Sequence, residues 1–204
     1  MNEKGIDVEN QGNVTGQTII NIQSMSGNIG VPQAVPVYVP QTTATAIRPI
    51  LLNAEFYNFF VIFDEDFNKG RFRIDVSRSI TEYTEPEITA RFTPLDSDKI
   101  EQILRFPSLF MNECAQSAGS FAPNQVVYFG LVAKIKKQAK EYVVEFQKLG
   151  AIPLEPIMKI LRDLDIRTDY RGYGEMTRTH WAIKEVDLIQ ELRISGIDVL
   201  GMNK

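Results

Sequence analysis

The stretch 126-VVYFGLVAKIKKQAKEYVVEFQKL-149 decides the fold class of this chain. Each half of it alternates apolar with other residues, which is the period of a half-buried β-strand, and a polar segment separates the halves. The sequence therefore predicts two long antiparallel strands joined by a turn. The residues expected to share a face are Val127, Phe129, Leu131, Ala133 and Ile135 in the first strand and Tyr142, Val144 and Phe146 in the second.

Two further segments upstream are typical of strands. The stretch "FYNFFVIFDEDFNKGRFRIDVS" has two apolar, β-favouring runs around a polar turn that ends at Gly70, and it predicts a hairpin. The segment "EITARFT" alternates and predicts a third strand. The strands are thus expected to pair locally.

Three segments indicate short helices. In "LDSDKIEQILRF", Asp96 or Ser97 is the expected N-cap, and "IPLEPIMKILRDL" has Pro153 or Pro156 near its first turn. A third helix is predicted for 179–196, "THWAIKEVDLIQELRISG". Together these elements predict an α+β fold with an antiparallel sheet, open or curled into a small β-barrel, three short helices and an extended N-terminal arm.

The chain divides into an N-terminal arm, residues 1–50, and a compact domain, residues 54–200. The arm is rich in Gly, Asn, Gln, Ser, Thr and Pro, which favours flexible or extended chain. Its "NVTGQTIINIQ" segment can form one short strand. A strand without a partner in its own segment would present a free edge to another chain, so self-association or a protein partner is the alternative to a passive arm.

Composition limits the chemistry. A net charge of −4 argues against a general nucleic-acid binder, and no signal peptide or run of 18 apolar residues occurs, which predicts a cytoplasmic protein without a membrane contact. One histidine and one cysteine cannot form a structural zinc site. No Gly-rich phosphate loop is present. We therefore expect no cofactor, and a binding module rather than an enzyme, with a Cys114/His180 nucleophile pair as a remote alternative.

Acidic residues form two clusters that resemble metal sites only in part. "DEDFNKGRFRID" has carboxylate spacing like that of a calcium loop, but Lys69 occupies the position that needs glycine, so a solvated turn is favoured. Glu82, Glu85 and Glu87 could hold a divalent metal in a hydrolase if other carboxylates approached them. A hydrated loop is the simpler interpretation.

Four lysines surround the turn of the long strand pair. Lys134, Lys136, Lys137 and Lys140 could bind phosphates in a nucleic acid or nucleotide, which is the alternative function. The favoured interpretation is that they protect an exposed strand end from pairing with another chain.

His180 and Trp181, the only residues of their types, stand side by side. At the start of a predicted helix they would form either a lock that closes the core or part of a small anionic pocket, and the lock is favoured. The candidate ligand-binding residues are Tyr170, Arg171, Tyr173, Arg178, His180 and Trp181.

The motifs "VVYFGLVAKI", "VVEFQKLGAIP" and "THWAIKEVDLI" resemble a family of uncharacterised bacterial domains with YFG, FQ, IP and THWAIK motifs. The resemblance covers about residues 54–200 and implies no activity. The leader "GNVTGQTIINI" is similar to Gly/Asn segments in bacterial defence proteins. These likenesses imply a recognition or interaction module of a bacterial cytosolic protein, associated with defence, with the arm serving assembly.

Overall fold

The protein combines one six-stranded sheet with short helices. The structure, a computed structural model, describes residues 17–19, 51–114, 125–168 and 174–199. The strands are β1 (Gln17–Ile19), β2 (Leu51–Asn53), β3 (Tyr57–Ile62), β4 (Arg71–Asp75), β5 (Pro107–Asn112), β6 (Val126–Gln138), β7 (Glu141–Pro153) and β8 (His180–Lys184). The α-helices are α1 (Pro86–Phe92), α2 (Ser97–Ile103), α3 (Leu154–Met158) and α4 (Leu188–Ile194), with 3₁₀ turns at Phe67–Lys69, Val76–Arg78 and Gly174–Thr177.

The main sheet has the strand order β4-β7-β6-β5-β3-β8. All neighbours are antiparallel except β3 and β5, which run parallel. The α+β class is therefore confirmed, whereas closure into a barrel is wrong, because β4 and β8 are opposite ends of an open sheet. Within the described ranges, no helix is long and apolar enough to cross a membrane.

The long strand pair is confirmed as β6 and β7, joined by a tight turn at Ala139 and Lys140. The residues predicted to share a face in β7 do so, whereas those predicted to share a face in β6 do not. Val127, Phe129 and Leu131 pack on one side of the sheet, whereas Ile135 packs on the other. The register shifts between Val132 and Lys134, and this irregularity exchanges the faces of the strand.

The predicted hairpin of "FYNFFVIFDEDFNKGRFRIDVS" is wrong in its pairing. Both strands exist, but β3 pairs with β5 and β8, and β4 pairs with β7. Every residue of β3 is buried, as expected of a strand covered on both faces. Because β3 runs parallel to β5, a long crossover must connect them, so β3 does not pair with the segment that follows it. The sequence analysis predicts no strand at β5, the partner of β3.

The segment "EITARFT" is helix α1 rather than a strand. Pro86 occupies the first helical turn, where its fixed φ fits a helix and its missing N–H costs nothing. Ile88 and Phe92 are the buried residues of this helix. A spacing of four places residues on one face in both a helix and a strand, so the alternation was ambiguous.

Helices α2 and α3 confirm two of the helix predictions, with Asp96 accepting a bond from the Lys99 amide at 2.9 Å and Pro153 preceding the first turn of α3. The third prediction is wrong over its first half, because His180–Lys184 forms β8. Helix α4 begins after Asp187, whose side chain accepts from the Gln190 amide at 3.0 Å.

Two hydrophobic clusters cover the two faces of the sheet. The aromatic cluster lies on one face and includes Phe56, Phe60, Phe67, Phe72, Phe92, Phe106, Phe110, Phe146 and Trp181. The aliphatic cluster lies on the other face, where residues of α3 and α4 join those of the strands, and includes Val61, Leu109, Met111, Val127, Ile152, Leu154, Ile157, Leu164, Leu188 and Leu192.

The arm contributes one described element. Strand β1 pairs antiparallel with β2, with Thr18 opposite Leu52, so the strand predicted in the arm has a partner in its own chain. The other residues of the arm lie outside the described ranges. Leu52 is buried in the aliphatic cluster, which ties β2 to the domain.

Candidate functional site

His180 and Trp181 lie on a strand and therefore project to opposite faces of the sheet. Trp181 is opposite Phe60 in the register and joins the aromatic cluster, whereas His180 is opposite Val61 of the aliphatic cluster. Because neighbouring strand residues alternate between faces, the pair cannot line one pocket.

Trp181 is a core residue with 1% of its surface exposed. Its ring stacks on Phe60 at 5.2 Å and meets the edge of Tyr142 at 6.0 Å, measured between ring centroids. Its Nε1 donates to Asn58 Oδ1 at 3.1 Å. With both faces of the indole covered, no base could stack on it, so the ligand-binding assignment of Trp181 is wrong.

Asn58 extends this contact into a small neutral network. Its Nδ2 lies 3.1 Å from Ser108 Oγ and 3.3 Å from the carbonyl oxygen of Ile103, and it donates to both. The Ser108 hydroxyl in turn donates to the carbonyl of Phe106 at 3.2 Å. The polar atoms under the indole are thus paired by uncharged partners, which removes the cost of burying them.

His180 is buried against two rings, Tyr83 at 4.6 Å and Phe59 at 5.6 Å between centroids. Its Nδ1 lies 2.8 Å from the carbonyl oxygen of Arg178, and its buried Nε2 has no partner among the described residues. Burial lowers the pKa of His180 to about 4, with the nearby charge of Lys184 adding to the effect. The imidazole is therefore neutral at pH 7, and the bond to the carbonyl makes Nδ1 the donor.

Lys184 closes β8 and was missed by the sequence analysis. Its side chain is fully buried, and its Nζ donates to the carbonyl oxygen of Asp165 at 2.7 Å and to Glu175 Oε2 at 3.2 Å. The Asp165 carboxylate lies at 3.7 Å. The available signal was a lysine at the end of the apolar run "HWAI", which a helical interpretation places on a solvated face.

Glu175 completes this buried ionic cluster. Burial raises the pKa of Glu175 to about 7, even though Lys184 opposes the shift, and its buried Oε1 has no partner in the described part of the chain. Tyr57, opposite Lys184 in the register, donates from its hydroxyl to the carbonyl of Leu164 at 2.6 Å. Burial, followed by the charges of Glu175 and Asp165, raises the pKa of Tyr57. The cluster attaches the segment before β8 to the sheet.

Of the remaining predicted ligand-binding residues, Arg178 is the one that the structure describes. Arg178 lies at the surface, where its Nη2 is 3.1 Å from Glu82 Oε1. Tyr170, Arg171 and Tyr173 lie outside the described residues. Arg178, His180 and Trp181 therefore point to the surface, to the aliphatic face and to the aromatic face, respectively, and the predicted anionic pocket is not formed by these three.

The acidic segments have local roles. Asp66 accepts from the Asn68 amide at 3.0 Å and caps a 3₁₀ turn, as expected of a solvated turn. Glu82 pairs with Arg78 and Arg178, and Glu85 pairs with Arg167. No group of three or more potential metal ligands occurs in the portions that the structure describes.

Cys114 does not form the alternative nucleophile pair. The thiol is buried, and burial raises its pKa to about 11, so the reactive thiolate is scarce at neutral pH. His180, with a lowered pKa, forms ring contacts with Tyr83 and Phe59 instead. The two residues thus lack the properties of an activated pair.

The four lysines of the hairpin do not share one surface. Ile135 packs into the aromatic cluster, so Lys134 and Lys136 project from the opposite face, whereas Lys137 follows the side of Ile135 and Lys140 lies in the turn. All four are exposed. Strand β5 pairs with β6 only as far as Leu131, so this end of β6 lacks a described partner on that side, and protection of this edge by the lysines stays a prediction.

A charged face is formed by Lys134 and Lys136 together with the strands beside them. On β7, Glu145 is opposite Lys134 and Arg71, while Val143 is opposite Lys136 and Arg73. Glu141 continues the acidic row and lies 3.1 Å from Arg73. The face thus has a basic row on β4, an acidic row on β7 and a basic row on β6. The four basic residues of the charged face, Arg71, Arg73, Lys134 and Lys136, are all exposed.

The charged face adjoins a broad depression of about 970 Å³. Arg71, Arg73 and Glu145 line it together with Lys69 and Gln147. Phe72, Ala133 and Phe146 line it as well, so charged, amide and apolar groups border a depression large enough to receive several side chains of a partner.

Comparisons with known proteins gave no match: no family model, no curated protein and no solved structure is significantly similar to this chain.

Proposed function

We propose that this chain is a non-enzymatic interaction module that recognises a partner protein through the charged face of β4, β7 and β6. The observation that carries the proposal is the arrangement of this face in rows of alternating charge beside a depression. Complementary charges across an interface give specificity and fix the register of a partner.

The buried groups support a binding role over catalysis. A general base must reach a substrate proton, but His180 is covered and its pKa lies near 4. Lys184 and Glu175 are paired with each other in the core, and Lys184 also donates to a backbone carbonyl. These groups are engaged in holding the fold.

The acidic row distinguishes a protein partner from a nucleic acid. A phosphate backbone is attracted by continuous positive charge. On the charged face, Glu141 and Glu145 separate the two basic rows, so a polyanion would meet like charge at the centre. A protein with its own pattern of acidic and basic side chains can match all three rows. A bacterial cytosolic setting, expected from the ordered motifs of the sequence, is part of this proposal.

The test compares two pairs of lysines that differ in position rather than in charge. K134E/K136E reverses the basic row of β6, and K137E/K140E makes the same change in net charge away from the charged face. Tagged full-length forms of both variants and of the original chain would be used to capture partners from cells of the native host, with quantification by mass spectrometry. We expect a protein captured by the original chain to be reduced at least tenfold by K134E/K136E and retained by K137E/K140E.

Binding to oligonucleotides is measured in parallel by fluorescence anisotropy at several salt concentrations. Salt-dependent affinity of the original chain that both variants lose equally would contradict a protein-specific charged face and favour the nucleic-acid alternative. Equal capture of the partner by all three proteins would also contradict the proposal.

A further inference from the structure

The outer edge of β4 has backbone groups that the sheet does not use. On the inner side, the Phe146 amide donates to the Gly70 carbonyl at 2.9 Å and the Val76 amide donates to the Lys140 carbonyl at 2.8 Å. These bonds lie at the two ends of β4, and every second residue between them faces β7 in the same way. The other residues of β4 therefore direct their N–H and C=O groups to the outer side.

The outward-facing residues are Arg71, Arg73 and Asp75. Among the described residues, none bonds to the outward backbone groups of Arg71 or Arg73. The Asp75 carbonyl accepts from the Ser79 hydroxyl at 2.8 Å, and a carbonyl oxygen can accept a second bond. Because β4 is the last strand of the sheet, these groups form an edge that can pair with another strand.

The charges along this edge differ in whether they already have a partner. Arg73 Nη1 lies 3.1 Å from Glu141 Oε2 and 3.1 Å from Gln138 Oε1. Both partners lie on the inner side, on β7 and β6, so the Arg73 guanidinium is drawn away from the outer edge. Arg71 and Asp75 are exposed, and neither has an ion pair among the described residues. The edge thus has a cation without a partner at one end and an anion without a partner at the other.

We propose that two copies of this chain pair through the outer edges of β4, antiparallel, with Arg73 of each copy beside the two-fold axis. Arg71 of each copy is then opposite Asp75 of the other, and opposite residues of an antiparallel pair share a face. On the other face, Phe72 is opposite Ile74. Arg73 is opposite its own counterpart and keeps its acidic partner on β7. The same surface thus complements itself, as a two-fold interface requires.

The charge pattern of β4 selects this register over its neighbours. A shift by two residues in one direction places Arg71 opposite Arg73, which sets like charges against each other. A shift by two in the other direction pairs Arg73 with Asp75 but leaves Arg71 opposite Ser77, which belongs to the 3₁₀ turn after β4. Of these registers, the one centred on Arg73 gives both end charges a partner.

The first test reverses the end charges one at a time in the full-length chain. In a dimer of R71D, Asp faces Asp at both ends of the strand pair, and in a dimer of D75R, Arg faces Arg. Sedimentation velocity over a range of concentrations should show that the original chain self-associates and that each variant does so at least about tenfold more weakly. Circular dichroism and thermal melts verify that each variant is folded.

Mixing the two variants tests whether the occupant is a second β4. The R71D edge has acidic ends and the D75R edge has basic ends, so the mixture should form a heterodimer although neither variant forms a stable homodimer. A mixture without a heterodimer, or an original chain that is monomeric at all concentrations, would overturn the proposal. K134E/K136E should self-associate like the original chain, because the basic row of β6 is not used. Absence of self-association with partner capture still lost in K134E/K136E would remove the inference and leave the proposed function intact.

A second pair of variants tests the backbone contact without changing Asp75. The Arg73 N–H faces outward, so R73P removes no bond between β4 and β7 but removes the bonds beside the axis. R73A removes the same side chain and keeps the N–H. We expect R73P to be monomeric and R73A to self-associate at least as strongly as the original chain, with thermal melts confirming that both are folded. Equal self-association of R73P and R73A would contradict pairing through this edge.

Discussion

The two faces of the sheet bury polar groups of different kinds. On the aromatic face, the indole of Trp181, the amide of Asn58 and the hydroxyl of Ser108 are all uncharged and hydrogen-bonded. On the aliphatic face, Lys184 and Glu175 are buried as ionisable groups, and Glu175 and His180 each retain one buried atom without a described partner.

This difference implies that the two faces respond to different perturbations. Substituting a buried neutral side chain removes packing contacts, and such a side chain does not titrate between pH 4 and 8. Buried ionisable groups whose pKa differs from that of the unfolded chain couple stability to pH. The aromatic face should therefore set the magnitude of stability, and the aliphatic face should set its dependence on pH.

The largest effect is expected for Trp181→Ala. The change removes a ring that is 1% exposed and leaves a cavity beside Phe60 and Tyr142, so unfolding should require about 3 to 5 kcal/mol less free energy. Urea denaturation at pH 5 and pH 8 should give the same loss. A loss below about 1 kcal/mol would show that the ring does not anchor the aromatic face.

Lys184→Met is expected to cost roughly 3 kcal/mol at pH 8, because it leaves Glu175 buried without its cation. The cost should be smaller at pH 5, where Glu175 takes up a proton, in line with its raised pKa of about 7. The double variant Lys184→Met/Glu175→Gln should recover most of the stability, since it leaves no buried charge. A cost that is independent of pH would contradict an ionic pair on this face.

His180 and Glu175 should have opposite effects on stability as pH changes. The folded pKa of His180 is lowered to about 4, so its contribution is present above its unfolded pKa of 6.5 and is lost as pH falls toward 4. The folded pKa of Glu175 is raised to about 7, so its contribution is present below its unfolded pKa of 4.5 and is lost as pH rises toward 7. Between about pH 4.5 and 6.5 the two effects should largely cancel.

Single variants separate the two effects. With Glu175→Gln, the melting temperature should rise with pH over this interval, and with His180→Phe it should fall, each by the equivalent of about 3 kcal/mol. Melting curves in buffers from pH 4 to pH 7.5 provide the measurement. If both variants keep the pH profile of the original chain, neither group titrates as its burial implies.

The parts of the fold that were predicted correctly depend on local sequence. The β6–β7 pair follows from alternation and a nearby turn, and α2 follows from the cap at Asp96. All five residues of β8 are buried. The two hydrophobic clusters cover its two faces, and the Ile80 amide donates a hydrogen bond to the Trp181 carbonyl at its outer edge. A strand buried on both faces shows no alternation, so the helical spacing downstream wrongly predicts a helix over His180–Lys184.

The candidate site was harder to predict for the same reason. In the ionic cluster, Lys184 bonds to Glu175, 9 residues earlier, and to Asp165, 19 residues earlier, whereas Tyr57 joins them only through the pairing of β3 with β8. The charged face was partly visible in the alternation of "RFRID", but its rows depend on β4 pairing with β7 rather than with β3. Pairings over long sequence separation leave no local pattern.

The most direct test of the central claim compares the charged face with the buried histidine of β8. In one quantitative capture experiment on full-length chains, His180→Phe and K134E/K136E are each measured against the original protein. Recognition through the charged face predicts that the captured partner is retained by His180→Phe and lost, at least tenfold, by K134E/K136E. Retention by K134E/K136E with loss by His180→Phe, in a folded protein, would contradict the account.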